Sequence, residues 1–207
     1  MNRFAIISGS QRTPSQTSKV ARFVRSMIEC ELENVACDLL DLGETPLPLW
    51  DPDVRRLAGP WERLWRPVSE SLSASTGVVL VTPEWAGMVP AALKNIFLLC
   101  ERNELSHKPA LIVALSSSLG GAYAVVELRM SSYKNTQLCY IPEHIIVRNV
   151  REVLNDYNQP ADDMPPQEAS LCRRMRYALS LLVEYADALT AVRNSGVVDL
   201  ATYPFGM

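Results

Sequence analysis

Residues 4–18 read Phe4-Ala5-Ile6-Ile7-Ser8-Gly9-Ser10-Gln11-Arg12-Thr13-Pro14-Ser15-Gln16-Thr17-Ser18. A short apolar run stops at Gly9, a turn of small, hydroxylated and basic residues follows, and a helical pattern begins. The first N–H groups of a helix lack internal partners and carry the positive end of its dipole, so a phosphate group satisfies both. Ser10, Ser15, Thr17 and Ser18 add hydroxyl donors, and Arg12 adds a charged planar fork. The turn is neither a Gly-x-Gly-x-x-Gly fingerprint nor a P-loop. A ligand-free strand-to-helix connection with a Ser/Thr cap has the same wording, and the stretch alone leaves the two readings level.

Outward from this turn, strands and helices alternate. Val20, Phe23, Val24, Met27 and Ile28 recur at spacings of three and four and predict a helix over Thr17–Glu33. Val35–Leu42 reads as a second strand. Pro46, Pro48 and Pro52 predict an extended loop without regular structure. A helix is expected over Pro60–Ser73, with Trp61 and Trp65 as packing residues. Gly77–Thr82 and Ala110–Leu115 are unbroken apolar runs, the mark of strands buried on both faces. Each is followed by a helix, one opening at Pro90 and running to about Asn103, the other after Gly121. Tyr140–Val147 is a fifth strand, weakened by Pro142, and Gln167–Arg193 is the longest helical stretch. The tail 195–207 has no assigned role.

This alternation predicts one α/β domain over residues 1–207, with a parallel sheet and right-handed crossovers. Five strands suit the three-layer flavodoxin-like order 2-1-3-4-5, in which ligands bind beyond the carboxyl ends of the strands. The loops at 8–18, 83–89 and 116–121 leave strands one, three and four on that one edge. Their convergence lifts the phosphate reading above the ligand-free one.

Bulk properties exclude several classes. The chain has 207 residues, is 48% hydrophobic and 21% charged, and carries a formal net charge of −3. That balance offers no footprint for nucleic acid or for an acidic membrane surface. Five scattered cysteines without a C-x-x-C pair argue against a disulfide framework and a zinc site. No run has the length of a membrane span, and four apolar residues before Ser8 do not make a signal peptide. A cytoplasmic setting is expected by elimination.

Four stretches together resemble the NADPH-dependent FMN reductases of flavodoxin-like fold. Gly9-Ser10-Gln11-Arg12 with Ser15 and Thr17 is similar to the family's phosphate loop. Leu47-Pro48-Leu49-Trp50-Asp51 is similar to its LPLYD turn. Thr82-Pro83-Glu84-Trp85-Ala86-Gly87 with Pro90-Ala91-Ala92-Leu93-Lys94-Asn95 resembles its TPEYNGS…PGALKN signature. Ser116-Ser117-Ser118-Leu119-Gly120-Gly121 with Leu128-Arg129 resembles its SxSxGG…LR stretch. The match runs in order from Phe4 to Val147.

The resemblance implies that Ser10, Arg12, Ser15, Gln16 and Thr17 hold an FMN phosphate. It implies that Pro83, Glu84, Trp85, Ala86 and Gly87 lie along the flavin ring. Ser116, Ser118, Gly120 and Gly121 would let backbone approach the ring's pyrimidine side, where a Cβ would obstruct. Two positions depart from the family pattern: Ala86 stands for Asn and Met88 for a small polar residue, making this loop more apolar.

The activity implied is transfer of electrons from NADPH or NADH through FMN to a flavin, quinone or other small acceptor, by a homodimer or homotetramer. An FMN-binding electron carrier or redox sensor acting on a protein partner is the alternative. Because a flavin carries its own reactivity, no catalytic side chain and no metal is expected. Glu84 is read as a hydrogen-bonding residue of its loop rather than an acid. Lys94 stands open between attracting an acidic cofactor and bracing a loop. His107 and His144 are expected to be structural or surface groups.

Overall fold

The computed structural model describes residues 1–101, 103–158 and 163–205. Its centre is a five-stranded parallel sheet in the order β2-β1-β3-β4-β5, built from β1 (Asn2–Ser8), β2 (Val35–Asp41), β3 (Gly77–Pro83), β4 (Pro109–Leu115) and β5 (Cys139–Val147). The crossovers carry α1 (Gln16–Glu31), α2 (Pro60–Leu64), α3 (Arg66–Ala74), α4 (Ala91–Leu99), α5 (Ala122–Met130) and α6 (Tyr133–Thr136), and α7 (Pro166–Arg193) follows the last strand.

The period-two alternation of the strands divides the core into two layers. Phe4, Ile6, Val79, Val81, Leu111 and Val113 face α1 and α7, meeting Val24, Met27, Met175, Leu179 and Leu182. Ala5, Ile7, Val78, Leu80, Ala110 and Ile112 face the opposite way, onto Trp61, Trp65, Leu72, Leu93, Ile96 and Leu128. β3 and β4 are buried throughout, as their unbroken apolar runs require. The two tryptophans are packing residues, each nearly inaccessible.

Several local readings are corrected. The helix expected over Pro60–Ser73 is two helices that meet at Trp65. Pro67 has no N–H to give the preceding turn, and its ring would strike the carbonyl four residues back, so the axis breaks there. The proline-rich loop holds a 3₁₀ turn over Pro52–Arg56, capped by the Asp51 carboxylate accepting from the Asp53 N–H at 2.8 Å. α4 ends at Leu99, short of Asn103, and α6 had no periodic signal to announce it.

β5 is irregular where Pro142 interrupts it. The register passes from Ala110–Tyr140 to Ile112–His144, so β5 spends two extra residues there. Arg129 supplies the missing partners, its guanidinium donating to the carbonyls of Ile141 (2.7 Å) and Pro142 (2.9 Å). This arginine of the Leu128-Arg129 pair therefore repairs a strand and takes no part in the ligand edge.

Candidate active site

The turn after β1 organises the carboxyl edge of the sheet. Ser15 caps α1, its Oγ accepting from the Ser18 N–H at 2.9 Å, and leaves the N–H groups of Gln16 and Thr17 without helical partners. Ser10 Oγ accepts from the Arg12 N–H at 3.1 Å and curls the turn. The neighbouring loop after β2 is packed hard against it. A Cβ on Gly43 would stand 2.8 Å from the Arg12 carbonyl oxygen, and Thr13 Oγ1 donates to the Gly43 carbonyl at 3.2 Å. Asp41 holds that loop through Oδ1, which accepts from the Gly43 N–H at 3.1 Å. Its Oδ2 is buried without a partner.

The loop after β3 is a two-residue hairpin. Trp85 and Met88 exchange both backbone hydrogen bonds, at 3.0 and 2.9 Å, around Ala86 (φ 51°) and Gly87 (φ 73°). Positive φ at both central positions is the I′ geometry, which favours Asn-Gly. The Ala86 departure thus falls first on the backbone, since alanine occupies a left-handed position that asparagine tolerates better. The Arg12 guanidinium lies over the Trp85 ring, 4.8 Å from its centroid, joining the first loop to the second.

Glu84 joins the second loop to the third. Its Oε2 accepts from the N–H groups of Gly121 (3.0 Å), Tyr123 (2.9 Å) and Ala124 (3.3 Å), closing the N-terminus of α5. The two glycines of the third loop are required by this packing. A Cβ on Gly120 would meet Glu84 Oε1 at 2.8 Å, and one on Gly121 (φ 107°) would meet Ile146 Cγ2 at 2.6 Å. Lys94 is a brace, ion-paired with Glu127 at 3.0 Å, while Glu127 also accepts from the Val89 N–H. Asn95 fixes the LPLYD-like turn through the Trp50 N–H and the Pro48 carbonyl, both at 2.8 Å.

These loops enclose a cavity of about 780 Å³. Of the residues singled out in the sequence, Ser10, Arg12, Ser15, Gln16, Thr17, Pro83, Glu84, Trp85, Ala86 and Ser116 line it. Gly87, Ser118, Gly120 and Gly121 lie off its wall, and Gly120 and Gly121 answer to protein groups. Sequence reasoning missed Lys19, Asp41, Ser117, Val150 and Arg151, which also line the cavity. Asp41 had one available signal, its place opposite Ser8 at the ends of paired strands. Arg151 had none, because it arrives from the connection after β5.

The wall charges are unequally committed. Arg22 is paired with Glu44 at 2.5 Å, and Glu84 is spent on α5. Lys19 donates to the carbonyls of Val150 (2.5 Å) and Val153 (2.8 Å) and to Asn155 Oδ1 (2.8 Å). Burial lowers its pKa below the usual lysine range. The donor set suits FMN: hydroxyls, helix N–H groups and a guanidinium for a phosphate, and the orphaned Asp41 Oδ2 for a hydroxylated chain. Among the described residues no cluster of three metal-ligating side chains occurs. No described helix is long and apolar enough to cross a membrane. His107 and His144 lie off the cavity wall.

Comparison with known proteins gives the chain's family. The chain is 31% identical over 132 residues to a quinone reductase of Pseudomonas putida, covering 61% of this chain and 67% of that protein. It is 25% identical over 145 residues to an NADPH azoreductase of a Bacillus species, covering 70% and 76%. A flavoenzyme NAD(P)H:(acceptor) oxidoreductase from Paracoccus denitrificans shares the fold with a TM-score of 0.63 at 19% identity, over 91% of this chain and 98% of that one. The family profile of the NADPH-dependent FMN reductases matches residues 2–152, and the chain belongs to that family of flavin-dependent oxidoreductases.

Proposed function

We propose that the whole chain is one FMN-binding domain that takes electrons from NADPH or NADH and delivers them to a quinone, a flavin or an azo compound. The observation that carries this is the cavity where the loops after β1, β3 and β4 meet, lined by phosphate-type donors of the α1 turn and by the Trp85 hairpin, which Arg12 joins. Ser10, Arg12, Ser15, Gln16 and Thr17 hold the phosphate, and Pro83–Gly87 with Ser116 and Ser118 flank the ring. Gly120 and Gly121 act one step back, by letting Glu84 close α5 and fix the third loop. When bound, FMN supplies the redox chemistry by accepting a hydride and releasing electrons to a second substrate. The protein supplies position and a partly apolar wall.

The working unit in this reading is a homodimer or homotetramer. Leu119, Tyr123, Val126, Met130 and Tyr133 recur at spacings of four and three along α5 and its flanks, each half exposed or more. That apolar stripe beside the cavity suits a second copy of the chain. The cytoplasm is the proposed location, in keeping with cysteines that are all free thiols.

The test is the visible spectrum of purified protein loaded with FMN, followed by NADPH without oxygen. Rapid bleaching, reversed by a quinone, is expected. Bound flavin that stays oxidised would favour the electron carrier acting on a protein partner, and failure to bind flavin would overturn the reading.

A further inference from the structure

The cavity wall carries two guanidiniums that pair with no carboxylate among the described residues. With Arg22 and Lys19 bonded to protein groups, Arg12 and Arg151 remain. Arg12 makes no ion pair among the described residues and rests on Trp85. Arg151 is exposed, and among the described residues only its carbonyl is hydrogen-bonded, to Asn155. It lines the cavity, and no hydrogen bond or ion pair of its side chain occurs among the described residues.

The segment that carries Arg151 is held to an unusual degree. The Asn149 N–H donates to the Ser118 carbonyl and the Val150 N–H to the Ser116 carbonyl, both at 3.1 Å, tying it to the third loop. Lys19 on α1 binds Val150, Val153 and Asn155, tying it to the first helix. Glu168 on α7, buried, accepts from the Leu154 N–H at 2.6 Å. Val150 and Leu154 are sunk in the core. Burying the Glu168 side chain and half-burying that of Lys19 to hold one short connection is costly. The arrangement fixes the backbone that carries Arg151 at the cavity wall.

We propose that Arg151 binds a phosphate of the nicotinamide dinucleotide that serves as electron donor. The proposal rests on the FMN reading above, which assigns the flavin phosphate to Arg12 and the α1 turn. A dinucleotide offers two such groups, the 2′-phosphate found only in NADPH and the diphosphate bridge common to NADPH and NADH. The planar fork of arginine suits either, and a lysine would keep charge without the paired donors.

The experiment compares wild type, Arg151→Lys and Arg151→Met, each loaded with FMN. Steady-state KM is measured for NADPH and NADH with one benzoquinone as acceptor. Calorimetric titration with adenosine 2′,5′-bisphosphate and with ADP gives a readout that does not depend on turnover. FMN affinity of each flavin-free protein is followed by quenching of flavin fluorescence.

In Arg151→Met the NADPH KM is expected to rise by about 10–100-fold with FMN affinity unchanged, and Arg151→Lys to fall between. Loss confined to NADPH and adenosine 2′,5′-bisphosphate assigns the 2′-phosphate. Equal loss for both donors and for ADP assigns the bridge. Weaker FMN binding in Arg151→Met would overturn the proposal by moving Arg151 to the flavin phosphate, and unchanged donor and nucleotide affinities would overturn it outright. If wild type bound adenosine phosphates but no FMN, the FMN reading would fail while Arg151 could still be judged from the calorimetry.

Discussion

Glu84 and Gly120 are fitted to one another: a Cβ on Gly120 would stand 2.8 Å from Glu84 Oε1, while Glu84 Oε2 holds the first turn of α5. The loop after β3 and the loop after β4 are therefore set by one carboxylate. Glu84→Ala should lower the unfolding free energy by about 2–3 kcal/mol, because three backbone donors lose a charged acceptor. Gly120→Ala should cost about 1–3 kcal/mol by crowding the same group. Urea denaturation measures both, and a change under 0.5 kcal/mol in Glu84→Ala would refute this account of the carboxylate.

Ala86 offers a gain of stability. It sits at φ 51° in the first central position of the I′ hairpin, where asparagine is favoured. Ala86→Asn should stabilise the protein by about 0.5–1 kcal/mol, a rise in Tm of about 1–4 °C for a chain of this size. A melting temperature that stays the same or falls would mean that the left-handed alanine carries no appreciable strain.

Arg12 spans two loops, from the phosphate turn to the Trp85 ring. Arg12→Ala should raise the Kd for FMN by about 10–100-fold, the loss of a charge-assisted contact. Titration of flavin fluorescence reads this directly. The same Kd in Arg12→Ala and wild type would remove Arg12 from the phosphate site.

Acid should release one tie between α1 and α7. The Arg176 guanidinium holds the Glu31 carboxyl below the usual glutamate range, with Arg176 Nη2 2.8 Å from Glu31 Oε1 and the Tyr157 hydroxyl donating at 3.1 Å. A carboxyl depressed in the folded state adds stability above its unfolded pKa and loses it as pH falls through the folded one. Wild type should exceed Glu31→Gln by up to about 1 kcal/mol at pH 7, a modest figure because the pair is partly solvated. The gap should close as pH is lowered from about 5 through the depressed value. Chemical denaturation at several pH values checks this, and a gap that stays constant or widens would contradict it.

The strands, most helices and the placement of the three loops were legible because each depends on short-range pattern, and the order 2-1-3-4-5 followed from the rule that five alternating strands suit it. The buried runs at Gly77–Thr82 and Ala110–Leu115 admit only interior strands, and the spacing from Val20 to Ile28 admits only a helix with one apolar face. Lys94 and Glu84 were harder, since a lysine or glutamate in a loop does not announce its partner. Here the partners, Glu127 and the α5 N–H groups, lie more than 30 residues away in sequence. The Pro60–Ser73 break was legible in principle, because Pro67 stands in the helix, but it was read as one segment.

Local chemistry alone determined that strand β1 ends in a hydroxyl-rich turn capping α1, and that Gly-, Pro- and Ser-rich loops follow β3 and β4. Steric and hydrogen-bonding preferences act over a few residues and leave their mark in composition. Which charges those loops share was decided only by the tertiary structure. Parallel order 2-1-3-4-5 with α1 and α7 on one face brings the connection after β5 against α1, so Lys19 and Glu168 grip it and Arg151 reaches the cavity. No spacing in the chain encodes that meeting, because it depends on which helices share a face of the sheet.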